Sequence, residues 1–142
     1  MGIPVLKKKQ ILSLVKICKK LISKYKIRGV NIVGHSDIAP LRKNDPGEKF
    51  PWKKLADKKI GIWHSYKSHL LTKFRKIKLK KKQDKIEFIK NLKKIGYSFS
   101  NNKRSANVKI IEAFQRHYRK ELINGLIDKE CLIIAKNISK NI

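Results

Sequence analysis

The sequence predicts a mostly helical protein: a small α/β part with one strand, followed by a small all-α domain of three helices. Three observations predict this fold class. Apolar residues recur at three- and four-residue steps near the start of the chain and in three segments near its end. A single short β-branched run lies between them. The length, 142 residues, suits one ordinary domain or two small ones.

The first part of the chain combines a helix, a strand and a long loop. Residues 10–24 carry an apolar stripe with lysines on the opposite face, which predicts an amphipathic helix. The β-branched residues 30–33 predict a buried strand that ends at Gly34. Residues 35–51 form a predicted loop because prolines and glycines interrupt any regular element. A short helix over 52–58 is predicted to face inward through its tryptophan and leucine.

The second part of the chain begins with a lysine-rich stretch that predicts a charged connector with helical character. Helical spacing then predicts helices over 85–95, 105–118 and 128–138, with Asp128 as the N-cap of the last. Residues 96–102 break the pattern after the first of these helices. The predicted domains are therefore an α/β part at 1–65, a basic connector at 66–81 and a three-helix domain at 82–142.

The charge of the chain is strongly positive, with 37 Lys and Arg against 10 Asp and Glu, a net charge of +27. Such a surface attracts polyanions, although an AT-rich coding bias toward lysine explains the composition equally well. We expect no specific nucleic-acid partner because no helix-turn-helix, zinc-finger or aromatic RNA-binding signature is present. We also expect no membrane span, since no apolar run approaches the ~18 residues required. Two cysteines far apart, Cys18 and Cys131, predict buried thiols.

The central loop carries the residues most suited to chemistry. His35 and Asp45 offer an imidazole and a carboxylate, both of which bind zinc-like ions. Lys43 lies two residues before Asp45, and in an extended segment such side chains point the same way. A lysine beside a metal can stabilise the negative charge that develops on a carbonyl oxygen during hydrolysis. On residue types alone, a solvated loop with a hydrogen-bonded histidine is the simpler alternative.

The order of residues in this loop resembles the carboxy-terminal zinc loop of the type-2 N-acetylmuramoyl-L-alanine amidases. The resemblance covers roughly residues 9–63, and its motifs are Gly-His-Ser-Asp-Ile-Ala-Pro at 34–40, Arg-Lys at 42–43, Asp-Pro-Gly at 45–47 and Phe-Pro-Trp at 50–52. It implies that His35 and Asp45 are Zn²⁺ ligands and that Lys43 helps to stabilise the transition state. It implies cleavage of the amide between the lactyl group of N-acetylmuramic acid and L-alanine in peptidoglycan.

The carboxy-terminal residues 92–138 resemble the three-helix peptidoglycan-binding domain that follows several amidases of this family. The resemblance rests on Gly-Tyr at 96–97, Ala-Phe-Gln-Arg-His-Tyr-Arg at 113–119 with Phe-Gln-Arg as its most specific part, Asn-Gly at 124–125 and Asp128. The family usually has Asp-Gly where this chain has Asn124 and Gly125. The implied partners are peptidoglycan or muropeptides, and the substrate-binding residues stay unassigned.

The resemblance also implies a fold class: the carboxy-terminal helix, last strand and zinc loop of an α/β amidase, ahead of the three-helix domain. In the family, the first zinc histidine and the general-base glutamate lie upstream of everything that aligns here. We therefore expect a fragment with an incomplete zinc site, weak or inactive alone, with the upstream half of the amidase as a candidate partner. The alternative is a non-catalytic peptidoglycan-binding remnant.

Other residues near the loop are weaker candidates for the absent roles. We expect His64, His69 and His117 to be solvated or hydrogen-bonded rather than ligands, and Glu48 is a weak candidate for a general base. Family members act in the bacterial cell envelope, including the periplasm, or in the cytoplasm. Both compartments, and both anhydro-muropeptides and intact wall as substrates, stay open.

Overall fold

The computed structural model describes residues 5–99 and 104–142, and its regular elements are helical, which confirms the prediction of a mostly helical chain. Short 3₁₀ turns occur at Gly29–Asn31 and Thr72–Phe74. None of the described helices has the length and apolar character needed to cross a membrane. Part of the predicted break, residues 100–102, lies outside the described residues. The helices are α1 Lys8–Tyr25, α2 His35–Ile38, α3 Trp52–Ala56, α4 Ser68–Leu71, α5 Lys82–Ile95, α6 Arg104–Tyr118 and α7 Lys129–Lys140.

The predicted strand at residues 30–33 is wrong. Gly29–Asn31 form a 3₁₀ turn, in which the backbone N–H of Ile32 donates to the carbonyl of Gly29 at 3.1 Å. The described residues contain no strand, only an isolated bridge between Lys78 and Asp128. A strand needs a neighbour to satisfy its backbone N–H and C=O groups. The β-branched run has no such neighbour among the described residues, so its backbone bonds locally.

Helix α1 forms as its amphipathic pattern predicts, but its apolar stripe is only half-buried. The helix ends where Lys26 adopts a left-handed conformation, with φ of 54°. No residue of α1 is fully buried: most of the stripe, including Leu14 and Cys18, is half-buried, and Leu21 is 41% exposed. An amphipathic helix gains most of its stability by burying its apolar face. Within the described residues, nothing covers this face completely.

The core lies between α5, α6 and α7, which confirms the three predicted helices. Asp128 caps α7 as predicted, because its carboxylate accepts the backbone N–H of Cys131 at 2.9 Å. Cys131 is fully buried and Cys18 half-buried, and both thiols are free. The division into residues 1–65, 66–81 and 82–142 stays a prediction, although two leucines of the connector join this core. The core residues are Leu71, Leu79, Phe88, Leu92, Ile95, Tyr97, Ile110, Ile111, Ala113, Phe114, Tyr118, Cys131, Leu132, Ile134, Ala135 and Ile138.

Candidate functional site

The central loop is closed on itself by one backbone hydrogen bond and one tight approach. The N–H of Ser36 donates to the carbonyl of Asp45 at 2.9 Å, which brings the two predicted ligand positions together. The tight approach is at Gly34, beside Pro46 and Trp52. A Cβ atom at Gly34 would lie 2.7 Å from Cδ of Pro46 and 3.1 Å from the Trp52 ring. Glycine is therefore required at this position because the chain passes too close for any side chain.

The structure brings the two predicted ligands, His35 and Asp45, into direct contact. Nδ1 of His35 lies 3.0 Å from Oδ2 of Asp45, and the two side chains are 60% and 58% exposed. Two ligands of a tetrahedral zinc ion lie roughly 3.3 Å apart, given the usual metal–nitrogen and metal–oxygen distances. The pair therefore fits one edge of a zinc site that solvent can reach. Lys43 lies on the same loop with its side chain exposed.

The other histidines do not complete a metal site. Among the described residues, no three His, Cys, Asp or Glu side chains are grouped so that they could hold a metal ion. His69 is exposed, and His117 is hydrogen-bonded, both as predicted. His64 is 5% exposed rather than solvated, and burial lowers its pKa to about 4, which keeps it neutral at pH 7.

A buried network behind the loop was not predicted from the sequence. The carboxylate of Asp37 accepts the N–H of Gly34 at 2.8 Å and the hydroxyl of Tyr97 at 2.6 Å. Nδ1 of His117 lies 2.7 Å from the same carboxylate. Burial would raise the pKa of Asp37, but the bond and charge of His117, with the bonds from Tyr97 and Gly34, lower it. Tyr97 and His117 lie 60 and 80 residues from Asp37, so no local pattern could have indicated the network.

The ring of His117 is held between two aromatic side chains. It stacks on Trp52 with ring centroids 3.9 Å apart and on Tyr118 with centroids 4.0 Å apart. Its Nε2 atom is buried and has no hydrogen-bond partner among the described residues. His117 therefore contacts Asp37 at the start of the loop and Trp52 just after its end.

The Phe-Gln-Arg segment that indicated a wall-binding domain has a structural role in α6. Gln115 is fully buried, and its Oε1 accepts the N–H groups of Asn124 and Gly125, each at 2.9 Å. Its Nε2 donates to the carbonyl of Leu126 at 2.8 Å. Gly125 adopts φ of 66°, a left-handed conformation that favours glycine. Gln115 thus stabilises the turn between α6 and α7, while Phe114 lies in the core.

Comparison with known proteins relates the chain to the amidases, which are amide hydrolases. Residues 4–48 match the family model described as N-acetylmuramoyl-L-alanine amidase. The chain is 34% identical over 131 residues to N-acetylmuramoyl-L-alanine amidase AmiD of Escherichia coli K12, which covers 89% of this chain and 46% of AmiD. It is 50% identical over 42 residues to 1,6-anhydro-N-acetylmuramyl-L-alanine amidase AmpD of Enterobacter cloacae, covering 30% and 22% of the two chains.

Solved structures agree with these matches. The chain matches AmiD of E. coli in complex with anhydro-N-acetylmuramic acid-L-Ala-D-γ-Glu-L-Lys with a TM-score of 0.82 at 31% identity, over 96% of this chain and 53% of that one. It matches AmpDh3 of Pseudomonas aeruginosa in complex with anhydromuramic pentapeptide with a TM-score of 0.81 at 30% identity, over 97% and 55%. The chain is homologous to type-2 N-acetylmuramoyl-L-alanine amidases, as its loop predicted. It spans about half the length of AmiD.

Proposed function

We propose that this chain contributes His35, Asp45 and Lys43 to a zinc-dependent N-acetylmuramoyl-L-alanine amidase. The reaction is hydrolysis of the lactyl–L-alanine amide in peptidoglycan or muropeptides. The observation that carries the proposal is the 3.0 Å contact between His35 and Asp45, in a segment that matches the amidase family model. Imidazole nitrogen and carboxylate oxygen are ordinary zinc ligands, and the high exposure of both side chains gives a substrate access.

The three residues have separate tasks in this proposal. His35 and Asp45 would hold the ion, and the hydrogen bond from Ser36 to Asp45 keeps their backbones together. Bound there, zinc would supply Lewis acidity that activates water and polarises the amide carbonyl. The exposed ammonium of Lys43 would then stabilise the negative charge that develops on the carbonyl oxygen.

The proposal also requires groups beyond these three. A catalytic zinc ion usually takes three protein ligands, and the described residues bring two together. We propose that a further amidase polypeptide, on this or another chain, supplies the third ligand and the general base. Two features of the described residues support such a partner: the apolar face of α1, which is only half-buried, and the exposed side chains of Val33, Ile38 and Leu41 in and beside the loop. Zinc binding and turnover by the chain alone should therefore be weak.

Zinc binding tests this proposal through the two ligand positions. Replacing either residue, as His35→Ala or Asp45→Asn, should weaken zinc binding at least ~10-fold, because one of few ligands is lost. Both side chains are more than half exposed, so neither variant should unfold. Competition with a chromophoric chelator measures the affinity, and His69→Ala, an exposed histidine outside the loop, is the matched control. Equal affinity in the wild type and both loop variants would contradict the proposal.

A second candidate function is non-catalytic binding of the cell wall. It is favoured by the position of the core, most of which lies in α5, α6 and α7, the part of the chain that resembles a wall-binding domain. A chain carrying both His35→Ala and Asp45→Asn should then still sediment with purified sacculi, including at about 0.5 M salt. At that salt, a charge-driven contact of a +27 surface would be screened. Loss of sedimentation by the wild type at high salt would contradict this candidate.

A further inference from the structure

The contacts of Asp37 extend the proposed zinc loop into α6 and the residues after α5. The Asp37 carboxylate is enclosed by three donors, from Gly34, Tyr97 and His117, at 2.6 to 2.8 Å. The side chains of Asp37 and His117 are 6% and 2% exposed. A buried charged group that has all its partners is held in one position, because losing any of them leaves it desolvated and unpaired.

This carboxylate lies in the same helical turn as a proposed metal ligand. Helix α2 has four residues, His35–Ile38, and so short a helix is not stable without tertiary contacts. The Asp37 carboxylate accepts the N–H of Gly34, just before the helix, and the N–H of Ser36 donates to the carbonyl of Asp45. Both hydrogen bonds require this turn to keep its position. The position of Asp37 therefore sets the position of His35 relative to Asp45.

His117 contacts residues on both sides of the loop. Its Nδ1 pairs with Asp37, while its ring stacks on Trp52 at a centroid distance of 3.9 Å and an interplanar angle of 15°. Trp52 in turn lies within 3.1 Å of where a Cβ of Gly34 would stand. The Nε2 atom of His117 is buried without a partner among the described residues, so the hydrogen bond of this ring is the one that Nδ1 makes with Asp37.

We propose that His117 and Tyr97 are positioning residues for the zinc loop: they fix Asp37 and thereby hold His35 against Asp45. The inference rests on the proposed function, because it concerns the geometry of that zinc site. The helical part of the chain then has a role in the metal site, in addition to any role in binding the wall. Partners that orient metal ligands typically change metal affinity 10- to 100-fold when removed.

The test uses the full chain with His117→Phe, which retains an aromatic ring between Trp52 and Tyr118 but lacks the nitrogen that pairs with Asp37. Tyr97→Phe removes only the hydroxyl and serves as the second variant if His117→Phe does not fold. His117→Asn returns a donor near the position of Nδ1 and should recover part of the wild-type behaviour. The control is Ser139→Ala, which removes another partly buried hydrogen bond, 2.7 Å to Asn91, between α7 and α5.

Two readouts decide the inference. In metal-free protein, the amides of Gly34 and Ser36 should exchange with solvent at least ~10-fold faster in His117→Phe than in Ser139→Ala. Zinc affinity should fall ~10-fold in the same variant but not in the control. Unchanged loop exchange, or a zinc affinity equal to that of the control, would overturn the positioning role. A wild type that binds no zinc would instead contradict the proposed function, and loop exchange in metal-free protein would still decide the positioning.

Discussion

Replacing Glu130 with glutamine should lower the melting temperature of this protein by roughly 10 °C. Glu130 is 1% exposed and accepts two hydrogen bonds from the guanidinium of Arg75, at 2.7 and 2.9 Å. The hydrogen bonds and charge of Glu130 raise the pKa of Arg75, which keeps its charge at every accessible pH. Removing one partner of a buried ion pair typically costs ~3–5 kcal/mol. Glu130→Gln also takes a negative charge from beside Arg119, which is 1% exposed and lies 4.0 Å from Glu130. The pair joins the segment before α5 to the first turn of α7.

A neighbouring carboxylate provides the control for this prediction. Glu121 also lies near Arg75, at 3.9 Å, but its side chain is 46% exposed. Exposed ion pairs contribute about 0–1 kcal/mol, so Glu121→Gln should change the melting temperature little. Thermal unfolding followed by circular dichroism measures both variants. Equal melting temperatures for Glu130→Gln and Glu121→Gln would show that the buried pair does not hold the connector against the helices.

Replacing Lys43 with alanine should lower turnover ~10²- to 10³-fold while leaving zinc affinity nearly unchanged. The reason is that Lys43 is proposed to act only on charge that develops in the transition state, and it is not a proposed ligand. Release of peptide from an anhydro-muramyl peptide, followed by chromatography, measures the rate. The assay is run with the chain alone and with a polypeptide covering the part of E. coli AmiD that this chain does not match.

Lys49→Ala is the matched control for Lys43→Ala, since it removes the same charge from an exposed position in the same loop. General electrostatic attraction of the substrate would be reduced equally by both substitutions. A rate for Lys43→Ala equal to that of Lys49→Ala would remove the proposed role of Lys43. A loss of zinc affinity in parallel with the loss of rate would make Lys43 a structural residue of the loop instead.

The helices could be predicted from the sequence because their signals are local. Apolar spacing indicated α1, α5, α6 and α7, and Asp128 indicated the start of the last one. The strand over residues 30–33 could not be judged in the same way, because a strand forms only beside another strand. The β-branched composition indicates that the segment could form a strand, but it does not indicate whether a partner strand is present.

The candidate site likewise has a part that the local sequence predicted and a part that only the structure shows. His35 and Asp45 were identified because the residues around them form a specific local order, and the structure places the two side chains in contact. Asp37 stands in the same string, but its partners Tyr97 and His117 lie 60 and 80 residues away, and the motifs that contain them did not indicate a contact with the loop. For His117, the sequence predicted only that it is solvated or hydrogen-bonded rather than a ligand. Only the packing of α6 against the loop shows what it contacts.

X-ray absorption of the zinc-loaded chain tests the central claim most directly, because it identifies the atoms bound to the metal. We expect a shell of nitrogen and oxygen at ~2.0–2.2 Å that includes one imidazole, and loss of the imidazole signal in His35→Ala. Sulfur at ~2.3 Å would instead indicate Cys18 or Cys131. Sulfur ligation, or an imidazole signal that persists in His35→Ala, would contradict a metal site built on His35 and Asp45.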